Sequence, residues 1–125
     1  MRLSGSETVL AVDDDPIMLE LVEKVLTPLG YKVLFAASGE EALEVAASRE
    51  EKIDLLSTDV ILPGIKGHDL AKQLLINCPE VNVLFMSGCL CPSMAHNNSE
   101  QRFEGFIQKP FAPKSLLRKM RKLLD

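Results

Sequence analysis

Short apolar runs alternate with longer amphipathic stretches along the chain. Runs of four to six apolar residues without polar alternation are typical of strands buried on both faces of a parallel sheet. Apolar residues recurring every three or four positions are typical of helices packed on such a sheet. The predicted strands cover 9–12, 31–36, 53–58, 81–86 and 106–108. The predicted helices cover 16–29, 39–48, 68–77 and 114–124, and a short or irregular helix is expected within 90–103.

Residues near the predicted helix ends agree with these boundaries. Asp15 can cap the first helix, with Pro16 in its first helical position. Pro28 is expected to tighten or fray the last turn of that helix, and Gly30 to close it. Ser38 and Glu41 have the spacing of a capping box at the start of the second helix.

The regular order of strand and helix predicts an α/β fold in one domain. Five strand–helix units imply a parallel sheet covered by helices on both faces. Because crossover connections are right-handed, few topologies remain. We therefore predict a flavodoxin-like, doubly wound sheet of five parallel strands in the order 2-1-3-4-5.

Composition narrows the class of protein. The chain has 125 residues, a length that fits one domain. Its net charge of −4 argues against nucleic-acid binding, which needs a basic surface. No segment approaches the roughly 20 apolar residues of a membrane span, and the polar start lacks the apolar core of a signal peptide, so a cytoplasmic location without membrane insertion is expected. Basic residues gather near the end of the chain, and we predict that they form the solvated face of the last helix: Lys114, Arg118, Lys119, Arg121 and Lys122.

The cysteines do not indicate a disulfide framework or a zinc site. The chain has three of them, Cys78, Cys89 and Cys91. Their number is odd, and a single residue separates the last two, which is too close for the usual zinc knuckle. We predict that all three are reduced thiols.

The candidate chemistry lies at the carboxyl ends of the predicted strands. Asp13 and Asp14 follow the first strand, Asp59 the third, Ser87 the fourth and Lys109 the fifth. Open α/β sheets bind ligands at this edge, so the five side chains should converge there.

Together these residues favour phosphoryl transfer. Clustered carboxylates repel one another, and a hard divalent cation such as Mg²⁺, or alternatively Mn²⁺, relieves the repulsion. Lys109 adds a positive charge and Ser87 a hydroxyl, and phosphoryl transfer depends on such positioning and charge. A carboxylate can itself act as the nucleophile and form an aspartyl phosphate.

Four segments, in this order and spacing, carry a resemblance to a known family. They are 12–16 (VDDDP), 54–64 (DLLSTDVILPG), 85–88 (FMSG) and 108–111 (QKPF). The chain resembles the receiver domain of bacterial two-component response regulators over residues 7–125, with 1–6 as an N-terminal linker or tail.

The resemblance implies a role for each matching residue. It makes Asp59 the phosphoacceptor and Asp14 a direct metal ligand. Asp13 would act on the metal through water, and the backbone carbonyl of Ile61 would be a further ligand. It makes Lys109 the partner of the phosphoryl group.

It also implies a switch. Ser87 would turn toward the phosphoryl oxygen, and Phe106 would occupy the aromatic switch position. The output surface would comprise the fourth helix, the fifth strand and the fifth helix, which is also the expected surface of any homodimer. Pro92 and Asn97 lie in the predicted fourth helix and depart from the family pattern.

The resemblance further implies partners. The phosphoryl donor would be a histidine kinase or a histidine phosphotransfer domain, with no binding to nucleic acid by this domain itself. The closing residues resemble the receivers at the end of hybrid sensor histidine kinases, so the chain is either a fragment of one or an independent regulator. It would not be a conventional enzyme, because it would catalyse its own phosphorylation and dephosphorylation.

Two other functions compete with this interpretation. A pseudo-receiver would bind partners without phosphorylation, but such a domain would be expected to lack an acidic residue or the lysine. A haloacid-dehalogenase-type hydrolase would carry a second aspartate two residues after the nucleophile, where this chain has Ile61. His68, His96 and Asp54 are predicted to be solvated residues without a role.

Overall fold

The computed structural model describes residues 3–48, 52–87, 104–109 and 111–125, and in it five parallel strands form one sheet in the order β2-β1-β3-β4-β5. The strands are β1 (Thr8–Val12), β2 (Lys32–Ala36), β3 (Leu55–Asp59), β4 (Asn82–Ser87) and β5 (Glu104–Gln108). The helices are α1 (Pro16–Leu26), α2 (Gly39–Ala47), α3 (Gly67–Asn77) and a C-terminal helix (Pro113–Leu124). The predicted fold class and strand order are confirmed. The helix predicted within 90–103 lies outside the described residues.

Helices cover both faces of the sheet and create two apolar layers. One layer packs α2 and α3 against side chains such as Leu10 and Leu56, and the other packs α1 and the C-terminal helix against Val9 and Leu55. All five residues of β1 are buried, which explains why its sequence shows no polar alternation. Each large apolar side chain buried in this way stabilises the fold by roughly 1.5–3 kcal/mol.

The strand register brings the carboxyl ends of the strands to one edge. Val12 pairs with Thr58, and Asp59 pairs with Met86. Ser87 in turn pairs with Gln108, one residue before Lys109. Residues that follow β1, β3 and β5 therefore emerge next to one another.

The predicted caps of the first two helices are present. Asp15 accepts a hydrogen bond from the Ile17 amide at 3.0 Å, and Ser38 accepts one from the Glu41 amide at 3.1 Å. A short 3-10 turn, Thr27–Leu29, tightens the end of α1, and Gly30 closes it with φ of 102°. Only glycine adopts that left-handed conformation without strain.

Of the residues predicted to be solvated, Arg121 is buried and Asp54 is half-buried with a hydrogen-bond partner, so these two predictions were wrong. Asp54 accepts a hydrogen bond from the Thr8 amide at 2.9 Å and so links the starts of β3 and β1. Arg121 is only 8% exposed, because it turns inward from the C-terminal helix toward the start of the chain. Its neighbours Arg118 and Lys122 on the same helix are exposed, as predicted.

Arg121 ties the first residues of the chain to its last helix. One guanidinium nitrogen lies 2.8 and 2.9 Å from the two carboxylate oxygens of Glu7 and 3.2 Å from the Tyr31 hydroxyl. The same side chain pairs with Asp125. The Tyr31 hydroxyl donates to the Leu3 carbonyl at 2.9 Å, so the segment before β1 packs on the domain.

This ion pair should make stability depend on pH. Burial alone would raise the pKa of Glu7, but the hydrogen bonds and charge of Arg121 outweigh it and hold that pKa below its usual value of 4.5. A depressed carboxyl pKa contributes stability above the unfolded value, and this is lost as pH falls through the folded value. We expect a contribution on the order of 1 kcal/mol, because Glu7 keeps some solvent contact. Urea unfolding at pH 7, 5 and 3.5 measures how much of the free energy of unfolding is lost as the pH falls. This loss should be smaller for Glu7→Gln than for the unaltered protein, and Glu44→Gln, at an exposed position, should lose as much as the unaltered protein. Equal losses in all three proteins would contradict the prediction.

Within the described residues no helix has both the length and the apolar character needed to cross a membrane. Cys78 is a free, half-buried thiol, and Cys89 and Cys91 lie outside the described residues.

Candidate functional site

Three carboxylates meet at the carboxyl edge of the sheet. Asp13 and Asp14 follow β1 and Asp59 ends β3, and one oxygen from each lies within 4.8 Å of the others. We call this set the acidic cluster. It arises because the parallel register aligns the ends of β1 and β3, as the sequence predicted.

Asp13 is the most firmly held member of the acidic cluster. Its side chain is 3% exposed, and one oxygen accepts a hydrogen bond from the Asp15 amide at 2.9 Å. The other oxygen lies 2.8 Å from the Lys109 ammonium. Both oxygens are thus engaged within the protein, which leaves Asp13 poorly placed to attack an incoming group.

Lys109 supplies the positive charge of the site. Its ammonium also lies 3.4 Å from Asp59. Burial would lower the pKa of Lys109, but the hydrogen bond to Asp13 and the charges of Asp13 and Asp59 raise it above its usual value. The lysine is therefore fully charged at neutral pH and offsets part of the repulsion among the carboxylates.

Asp59 is held more loosely than Asp13. Within the described part of the chain, its contacts are the 3.4 Å approach of Lys109 and a 3.5 Å hydrogen bond from the Ile61 amide to the other oxygen. Its side chain keeps 17% exposure. Because neither contact is short, an oxygen of Asp59 is available to a group arriving from solvent. The side chain of Ile61 is exposed, so its backbone is the part that lies beside Asp59.

Ser87 and Phe106 stand beside the cluster on neighbouring strands. Ser87 ends β4, is 4% exposed, and its carbonyl accepts a 2.7 Å hydrogen bond from the Lys109 amide. Phe106 pairs in register with Phe85 and packs, half-buried, on the α2 and α3 side of the sheet. Since side chains alternate along a strand, Ser87 projects from the same face as Phe85.

The start of α3 adds Gly67, which the sequence did not single out, and His68, which was predicted to be solvated. A Cβ at Gly67 would lie 2.4 Å from the Asp59 carbonyl oxygen, so only glycine permits this approach. The next residue, His68, stacks on Phe85 with ring centroids 4.3 Å apart and planes tilted by 33°. The prediction of a solvated histidine was wrong, because Gly67 packs the first turn of α3 against the end of β3 and the ring of His68 then contacts Phe85 on β4. In the sequence, the glycine that precedes His68 was the feature that could have indicated this close packing.

The chemistry of the acidic cluster fits a hard divalent cation. Carboxylate oxygens are the ligands that Mg²⁺ prefers, and a cation bound through one or two of them keeps several waters. Exposed Asp14 and half-buried Asp59 offer oxygens toward solvent, whereas Asp13 is already bound to Lys109.

The chain matches a known family over most of its length. The family model described as response regulator receiver domain matches residues 9–121. The sensor kinase CckA of Brucella abortus is 34% identical over 123 residues, which are 98% of this chain and 13% of that protein. The chain spans about half or less of the first curated relatives that it matches.

Solved structures show the same likeness. The chemotaxis protein CheY4 of Vibrio cholerae is 28% identical with a TM-score of 0.85, over 96% of this chain and 100% of that one. The receiver domain of the hybrid histidine kinase CckA is 32% identical with a TM-score of 0.75, over 94% and 99% of the two chains.

Proposed function

The chain belongs to the response regulator receiver domain family, and from that premise we propose that it takes a phosphoryl group from a phosphohistidine onto Asp59, with Mg²⁺ or Mn²⁺ bound beside it. The observation that carries the proposal is the contrast between the two inner carboxylates. Asp13 is engaged through both oxygens, while Asp59, among the described residues, has two long contacts and reaches solvent.

In this proposal Asp59, Lys109 and Ser87 each have a separate role in the transfer. An oxygen of Asp59 forms a bond to phosphorus as the bond between phosphorus and the donor imidazole breaks, and the imidazole leaves with that electron pair. Lys109 neutralises charge on the phosphoryl oxygens, and the Ser87 hydroxyl donates a hydrogen bond to one of them. Such catalysis rests on positioning and charge, not on acid–base chemistry.

A cation would be held by Asp14 and Asp59 directly, by Asp13 through water, and by the backbone carbonyl of Ile61. When bound, it supplies positive charge to the phosphoryl oxygens and relieves the repulsion within the acidic cluster. The chain's own contribution is to keep Asp13 and Lys109 paired, so that the cluster is preformed.

The comparisons support a histidine kinase or a histidine phosphotransfer domain as the donor. One relative is a sensor kinase, and one similar structure is the receiver of a hybrid histidine kinase. We propose that phosphorylation changes the surface around β5 and the C-terminal helix, and that any homodimer forms there. A fragment of a hybrid kinase and an independent regulator both agree with this proposal.

The proposal is tested by intact mass spectrometry after incubation with acetyl phosphate. In the presence of Mg²⁺ we expect one phosphoryl adduct of about 80 Da, since one aspartate gains one phosphoryl group. The adduct should be absent from Asp59→Ala and from samples treated with a chelator. Asp54→Ala provides a matched control, because it removes an aspartate from the far end of the same strand and should leave the adduct intact.

An adduct that persists in Asp59→Ala would show that another residue accepts the group. If rapid sampling finds no adduct, and the stable mimic beryllofluoride does not bind either, the pseudo-receiver function is favoured instead.

A further inference from the structure

His68 occupies a place that the proposed chemistry does not use. It lies in the first turn of α3, half-buried, with its ring against Phe85. Burial and then the charge of Lys72 lower the pKa of His68, while Asp69 acts in the opposite direction. The imidazole is therefore neutral near pH 7, which suits an apolar neighbour.

On one side, the first turn of α3 is fixed to the segment that follows Asp59. The Gly67 amide donates a 2.9 Å hydrogen bond to the Val60 carbonyl. The space beside Gly67 is filled by the Asp59 carbonyl oxygen, 2.4 Å from where a Cβ would stand. A displacement of the backbone at Asp59 must therefore move Gly67 and the residue after it.

On the other side, His68 contacts the strand that ends in Ser87. Phe85 precedes Ser87 by two residues on the same face and pairs in register with Phe106. Phe85 is fully buried, so its ring cannot move without a change in its neighbours. The first turn of α3 thus contacts the backbone of the candidate phosphoacceptor through Gly67 and the aromatic pair of β4 and β5 through the His68 ring.

We propose that His68 is a positioning residue that couples phosphorylation at Asp59 to the Phe85–Phe106 pair through its ring contact. This inference rests on the proposed function. A packed interior transmits small displacements because side chains have few alternative arrangements. Without the ring, Asp59 and the aromatic pair would respond more independently of each other.

The inference is tested on the full chain with His68→Ala, which removes the ring, and His68→Phe, which restores an aromatic contact without a titrating group. We would measure phosphorylation by acetyl phosphate, and the ¹⁹F NMR signal of fluorinated Phe106 with and without beryllofluoride. We expect His68→Ala to change the phosphorylation rate and the Phe106 response by about threefold to 30-fold, the range of coupling through packed residues. His68→Phe should restore both to within about twofold at pH 7.5.

Leu26→Ala provides the control for stability. Leu26 is buried on α1, in the layer on the other face of the sheet and outside the proposed switch surface, so its loss should destabilise the fold without altering either readout. If His68→Ala does not fold, His68→Leu keeps the volume and replaces it in the comparison.

The pH profile gives a second readout. Lys72 and Asp69 act on the imidazole from α3, and β4 presents no ionisable side chain. The ratio of the phosphorylation rates of the unaltered protein and His68→Phe should be constant above about pH 6.5 and change below it.

The outcomes separate this inference from the function on which it rests. No adduct and no beryllofluoride response in the unaltered protein would overturn both. A normal adduct, with His68→Ala behaving like Leu26→Ala, would overturn the inference alone. Failure of His68→Phe to restore either readout would also overturn it.

Discussion

Replacing Lys109 by methionine is expected to yield a protein whose stability depends strongly on divalent cation. The ammonium lies 2.8 Å from Asp13 and 3.4 Å from Asp59, and without it three carboxylates remain within 4.8 Å of one another. Breaking a fully buried ion pair costs about 3–5 kcal/mol. Lys109 and Asp59 each keep 17% exposure, so we expect a loss of about 2 kcal/mol in the free energy of unfolding.

Added Mg²⁺ should reverse most of that loss. A ligand present at a hundredfold excess over its dissociation constant stabilises the folded state by about 2.7 kcal/mol. Urea unfolding with Mg²⁺ and with a chelator measures how much the cation raises the free energy of unfolding. This increase should be larger for Lys109→Met than for the unaltered protein. Lys119→Met, on the exposed face of the C-terminal helix, should match the unaltered protein in both conditions. A Lys109→Met protein with the same stability in both conditions would contradict a cation site at the acidic cluster.

Replacing Arg121 by methionine is expected to destabilise the fold by about 3 kcal/mol, independently of divalent cation. The change removes the two short contacts to Glu7, the contact to Tyr31 and the ion pair with Asp125. Glu7 would then keep its charge in a half-buried place without a partner. For a domain of this size the melting temperature should fall by on the order of 10 °C.

Arg118→Met is the matched control for this substitution. Arg118 lies on the same helix and is exposed. Its substitution removes the same charge and introduces the same methionine side chain. Its effect should stay within about 0.5 kcal/mol. Thermal unfolding followed by circular dichroism compares the two directly, and equal effects would show that helix charge, not the Glu7 network, determines stability.

The sequence predicted the strands and the acidic edge for a common reason. Buried parallel strands favour unbroken apolar runs, so Val9–Val12 and Val83–Met86 were visible as runs, and the polar residues that ended them marked one edge of the sheet. Asp13, Asp59 and Lys109 converge because register, not sequence distance, brings strand ends together.

The errors concern side chains whose environment depends on a distant partner. Arg121 looked like the other basic residues of its helix, and its partner Glu7 lies 114 positions away. Asp54 contacts a backbone amide 46 positions away. His68 was misjudged because its exposure depends on how closely α3 approaches β4. Periodicity reveals which face of a helix is apolar, but it does not reveal which polar side chain finds a partner across the fold.

The ion-pair network of Arg121 also has a consequence for how the domain can be connected. A single guanidinium touches Glu7 near the start of the chain and Asp125 at its end, so both termini leave the domain together. They do so one strand length from Asp13, at the opposite edge of the sheet. A domain with adjacent termini can be inserted into another protein, or circularly permuted through a short linker, without cutting its core. A module joined at either end would therefore lie at the edge of the sheet opposite the acidic cluster and would leave that cluster open to solvent.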